Sequence, residues 1–143
     1  MRLFGAVLLA ALVGAAPAAA SSGYFETPSK NIVCGYFSVS GPPNLLECGV
    51  VSGLHPIAPK PAGGCHGLDA ITDRIRLNPT GKTYGFCSGD VGVLAEAGRA
   101  PVLHYGTAKV AGPYRCTAAL SGLTCKNSQG HGFFLSRQTW RSF

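Results

Sequence analysis

The sequence predicts an all-β domain: a small antiparallel sheet, sandwich or partly open barrel of hairpins, stapled by three disulfides. Three observations carry this reading. Short runs of β-branched, aromatic and apolar residues recur with a period of two, and no segment carries a convincing helical stripe. Clusters of Gly, Pro, Asn and Ser interrupt them roughly every eight to twelve residues, the spacing of hairpin turns. Six cysteines, an even number, lie behind an apolar N-terminal leader, which reads as a disulfide framework in an oxidising compartment.

The leader comes first. Residues 1–20 read as a secretory signal peptide: Arg2 supplies the positive start, 3–16 are apolar but too short to span a bilayer, and Ala18-Ala19-Ala20 precedes a cut before Ser21. Residues 21–143 then form a single disulfide-rich β domain, with no second apolar run of transmembrane length. The implied location is secreted, extracellular or at the cell envelope. The formal charge of +6 is spread along the chain, and only Arg74-Ile75-Arg76 is dense. Scattered positive charge gives solubility and weak attraction to anionic surfaces. A nucleic-acid face would need a basic stripe with interleaved aromatics, and none is visible.

Residues 21–30 read as a polar lead-in. The run 31–39 is a strand whose Gly35 signals a bulge or a close approach. Residues 40–44 (S-G-P-P-N) are a turn, and 45–52 return, with Cys34 and Cys48 symmetric about Gly41. The proline-rich stretch 54–64 favours extended backbone and reads as a crossover lying on the same domain. In 68–77, Ile71, Asp73, Ile75 and Leu77 share one side of a strand, with Asp73 breaking its apolar face. Asp69 and Asp73 also allow a helical reading, which the turn at 78–81 disfavours. Residues 82–87 return. The segment 90–99 reads as loop or edge strand, and 102–105 and 107–110 flank Tyr105-Gly106. The last hairpin joins 114–120 to 123–126, with Cys116 opposite Cys125. A four-residue loop, 119–122, suits Gly122 better than a two-residue turn on Leu120-Ser121, which lack positive-φ chemistry. A three-residue loop would offset the cysteines. Phe133 and Phe134 then point to opposite faces.

Six cysteines allow 15 pairings. Hairpin symmetry favours Cys34–Cys48, Cys65–Cys87 and Cys116–Cys125. A tetrahedral metal site would want C-x₂-C spacing, which is absent, so neither metal nor cofactor is expected.

With these residues in view, the chain resembles an uncharacterised family of small secreted, six-cysteine proteins of actinobacterial type. The likeness rests on F-x-T-P-S-x-N-I-x-C at 25–34, the return around Cys48, F-C-S-G-D at 86–90, L-x-Y-G at 103–106, and Y-R-C…G-L-T-C-x-N…G-H-G-F-x-L-S-R at 114–137. It implies a secreted or envelope-associated disulfide protein and transfers no activity. Where the family usually has Gly, this chain has Lys30, an exchange that matters only if the position needs positive φ.

Candidate chemistry is sparse. His131, between Gly130 and Gly132, could be exposed for acid–base work, with His104 a second candidate. The alternative is a backbone kink that aims a phenylalanine into the core, in which case His131→Ala costs stability and no turnover. Six acids exist, Glu26, Glu47, Asp69, Asp73, Asp90 and Glu96, most of them at turns or strand ends, and no nucleophile or phosphate-loop motif occurs. Two function classes remain. One is a non-catalytic binding or structural module that recognises a protein or an anionic cell-envelope polymer through loops and edge strands. The other is a small secreted hydrolase using His131 or His104. Processing is directly testable: intact mass of exported material should match a chain starting at Ser21 and six hydrogens lighter than its reduced form, and free thiols would contradict the framework.

Overall fold

The first hairpin sets the pattern. Strands β1 (Gly23–Glu26), β2 (Ile32–Phe37) and β3 (Leu45–Val50) pair antiparallel, in a register that puts Cys34 opposite Cys48. Gly41, at φ +76, lies in the turn between β2 and β3. The computed structural model describes residues 22–38, 40–66 and 72–143, so the proposed leader, Asp69 and Ile71 lie outside the described residues. Strands β4 (Arg74–Leu77) and β5 (Tyr84–Gly85) complete a five-stranded sheet in sequential order. Strands β6 (Ala108–Ala111), β7 (Tyr114–Ala119), β8 (Gly122–Lys126), β9 (Gly132–Leu135) and β10 (Trp140–Ser142) form a second, again in sequential order. Each sheet is a meander with a cystine between its second and third strands. Among the described residues the fold is all-β, with two antiparallel sheets and no closed barrel.

The inner faces meet in one core. Ile32, Cys34, Leu46, Cys48, Val50, Ile75 and Leu77 from the first sheet pack with Tyr114, Cys116, Ala118, Leu123, Cys125, Phe133 and Leu135 from the second. The cystines Cys34–Cys48 and Cys116–Cys125 have Cα separations of 4.1 and 4.0 Å, close to the narrow, non-hydrogen-bonded antiparallel pair of roughly 4.5 Å. They touch across the sandwich: the sulfurs of Cys34, Cys48 and Cys125 lie within 4.8 Å of one another. All three are in disulfides, so the cluster offers no thiolate to a metal. Cys65–Cys87 ties the crossover to the segment after β5. Phe133 is fully buried and Phe134 half-buried beneath Arg141.

The structure corrects several local expectations. The lead-in contains β1, which the apolar Phe25 anchors in the core. The last hairpin turns on Leu120-Ser121 alone, with Ala119 opposite Gly122; neither turn residue has positive φ. Residues 92–96, read as loop or edge strand, form a 3₁₀ helix, Gly92–Glu96, that buries Val93 on the outer face of the first sheet. That explains Gly35 without a bulge: its pairing is continuous, and a Cβ there would meet the Phe37 ring and Val93. The middle of the outer face of the first sheet is therefore covered, with Tyr24 and Tyr84 exposed at its edges, whereas β7 keeps the alternation of a half-solvated strand.

Lys30 stands at φ +58, the one non-glycine residue in the left-handed region among those described. The left-handed conformation costs an L-residue about 1–2 kcal/mol. Glycine recovers this, less about 0.4–1 kcal/mol for its greater unfolded-state freedom. Lys30→Gly should raise stability by about 0.5–1 kcal/mol, a rise of about 2–5 °C in a thermal melt. An unchanged or lower Tm would contradict this account.

Candidate functional site

The histidines come first. His131 follows the turn between β8 and β9; Gly130 takes φ +82, and a Cβ on Gly132 would run into the Cys125 carbonyl. The glycines thus serve the backbone, one by conformation and one by contact. The His131 imidazole makes no hydrogen bond or ion pair among the described residues. The backbone N–H of His131 donates to Asn127 Oδ1 at 3.1 Å. His104 is exposed in a turn, where its carbonyl accepts from Thr107 N and Oγ1. The structure brings neither histidine to an acid.

Asn127 holds the loop, and sequence reasoning missed it. It is 4% exposed. Its Oδ1 accepts from the N–H groups of Gln129 and His131, and its Nδ2 donates to the carbonyls of Asn78 and Gly81 at 3.1 and 3.0 Å. One amide therefore fastens the β8–β9 turn to the β4–β5 turn of the other sheet. The signal for it was present, since an Asx residue opening a glycine turn commonly bonds the backbone two residues on.

The acids are spoken for. Arg74 is 1% exposed at the outer face of the first sheet. It donates Nε to Asp73 at 3.0 Å, Nη1 to Glu47 at 3.2 Å, and Nη2 to Ser88 and to the Asp90 carbonyl. Arg76 donates to Glu47 Oε2 through Nε at 2.9 Å and Nη2 at 2.8 Å, and its guanidinium lies 3.4 Å from the centroid of Phe86. The Ser88 hydroxyl first, and Arg74 against an opposing desolvation, hold the Asp90 carboxyl below its usual range. Such a carboxylate adds stability above its ordinary pKa and loses it as the pH falls through the lowered one, so this tether weakens only in acid. Glu26 accepts from Gly98 N at 2.6 Å, and Glu96 pairs with Arg99. Every acid among the described residues thus has an intramolecular partner.

Besides a concavity of about 350 Å³ between residues 101–103 and β6, two others remain. The first, about 500 Å³, lies between the crossover, β5 and β10, and is lined by Pro59, Lys60, Pro61, Tyr84, Phe86 and Trp140. Its walls are fixed: Trp140 Nε1 donates to the Pro56 carbonyl at 2.7 Å, Tyr84 Oη to Asn78 Oδ1 at 3.2 Å, and Phe86 is backed by Arg76. The second, about 290 Å³ and polar, lies among the β1–β2, β7–β8 and β9–β10 turns. Neither is lined by an acid or a histidine.

Residues 58–143 match a described but functionally unassigned family. The chain belongs to DUF6636, a family of unknown function. The DUF6636 segment holds β4 to β10, Asn127, His131, both arginines of the buried cluster, and every aromatic residue of the groove. The first hairpin and its cystine precede it. No curated protein and no solved structure matches the chain. Sequence reasoning put the stability of the Gly-His-Gly loop on His131, and the DUF6636 structure moves it to Asn127. Asn127→Ala should cost about 2–3 kcal/mol, through lost hydrogen bonds and orphaned buried groups. His131→Ala should stay within about 0.5 kcal/mol. Denaturant melts of the two variants compare them, and the reverse order would overturn the assignment.

Proposed function

We propose that the protein is a secreted or envelope-associated, non-catalytic binding module, a single domain from Ser21 onward, whose groove seats a segment of a cell-envelope polymer. The observation that carries this reading is the commitment of the acids among the described residues. General acid–base chemistry needs a carboxylate or imidazole poised with a partner at a reachable surface. Here Glu47, Asp73 and Asp90 neutralise Arg74 and Arg76, Glu26 caps a turn, and His131 and His104 face no acid. The groove offers the opposite: aromatic faces, proline rings and a few polar rim groups on disulfide-tied backbone, the makeup of a preformed ligand seat. Sugar rings stack their C–H faces on such side chains, and the rim hydroxyls of Thr83 and Ser142 can bond to theirs.

Trp140 is the only tryptophan of the chain, so its fluorescence reports the groove directly. Titration with solubilised cell-wall fragments should change its emission saturably. Tyr84→Ala should weaken the midpoint about tenfold, as for a central aromatic contact worth more than about 1 kcal/mol. In parallel, peptidoglycan, glycoside, ester and RNA substrates should show no turnover. Turnover that disappears in His131→Ala or His104→Ala at unchanged Tm would replace this reading with a hydrolase.

A further inference from the structure

The polar cleft at the turn end of the sandwich differs from the groove in one respect: part of its wall is already bonded and part is open. Ser29 Oγ shares a 3.1 Å hydrogen bond with Thr27 Oγ1, and Asn31 exchanges bonds with Ser52 at 3.2 and 3.1 Å. Ser136 Oγ closes its own turn by donating to the Thr139 carbonyl. Against this rigid wall stand Tyr105, Ser121, Arg137 and Gln138, whose side chains make no hydrogen bond among the described residues. Arg137 is exposed, has no ion pair among those residues, and is the only charged residue lining the cleft. Lys30 sits in the same β1–β2 turn, between lining residues Ser29 and Asn31. A fixed polar wall, one free guanidinium, no acid and several open hydroxyl or amide groups suit an anion carried on a hydroxylated molecule.

The cleft and the groove share the β9–β10 hairpin. Arg137 and Gln138 lie in its turn, and Trp140 and Ser142 on its second strand. Arg137 and Trp140 are three positions apart in the chain, so their Cα atoms are at most ~11 Å apart. That is within reach of an extended chain of a few sugar or polyol units.

We propose that this cleft is an anion-selecting subsite, in which Arg137 grips a carboxylate or phosphodiester of an acidic, hydroxylated polymer whose neighbouring units lie in the aromatic groove. The proposal rests on the binding-module reading and adds the charge of the ligand and the residue that selects it.

The test uses the mature chain and three defined polymers: polygalacturonate for carboxylates, poly(glycerol phosphate) for phosphodiesters, and neutral dextran. Affinities are measured at low salt for wild type, Arg137→Gln, and Arg115→Gln, which removes an equal charge from the far end of β7. Wild type should prefer at least one anionic polymer to dextran. Arg137→Gln should lose about tenfold for it, the scale of a charge-assisted hydrogen bond. Arg115→Gln should stay within about twofold. Loss confined to one anionic polymer identifies the anion. Equal losses in the two variants, or no preference over dextran, would overturn the subsite. If Trp140 still responds to wall fragments in that case, the groove reading stands without it; if Trp140 is silent as well, both fall.

Discussion

Two cystines meeting face to face between the sheets are the contact on which the rest of this structure depends. Each joins the second and third strands of a five-stranded meander at a narrow pair, where the sulfurs must point inward. Because both do so at the same level, the sulfurs of one sheet pack on those of the other. The contact sets how the two meanders lie against each other. Each bond closes a short loop, worth roughly 3 kcal/mol in the chain-entropy picture, which matters against a net stability of about 5–15 kcal/mol.

The two sheets treat their outer faces differently, and this asymmetry governs the chemistry. The second sheet leaves its outer face to solvent, with Arg115, Thr117 and Ala119 exposed along β7. The first is roofed at its middle by the 3₁₀ segment, and roofing a face that carries Arg74 requires counter-charges around its guanidinium. Glu47, Asp73 and Asp90 meet that need. A buried guanidinium is tolerable only when its donors are paired. The chain therefore spends half of its six acids, scarce in a sequence of formal charge +6, on structure.

What stays available lies at seams and ends. The proline crossover closes the seam between β5 and β10 through Trp140 N to the His55 carbonyl and through Gly85, whose missing Cβ admits Ala58 and Pro59. The same crossover supplies one wall of the aromatic groove. At one end, Asn127 locks turns of both sheets together; at the other, the turns stay apart and leave the polar cleft. The strained Lys30 belongs to that open end, in keeping with the tendency of backbone strain to persist at working surfaces.

The sequence by itself determined the all-β class, the presence of three disulfides, the cores of the first and last hairpins, and the opposite orientations of Phe133 and Phe134. These rest on local terms: period-two patterning, turn residues and symmetric spacing act within a few residues of one another. The membership in a family of unknown function was also legible in motifs. Only the tertiary structure decided the rest. It buried Arg74, which alternation had placed on the polar side of its strand, because a segment 16 residues downstream folds over it. It made Gly35 a packing site and not a bulge, because Val93 arrives from that segment. It set the Gly-His-Gly loop on Asn127, whose partners lie 49 and 46 residues away. It assembled the groove from residues 59–61, 83–86 and 140–142, and the cleft from three separate turns. Such sites are made by chain crossings, and no periodicity within one strand records which distant strand will lie beside it.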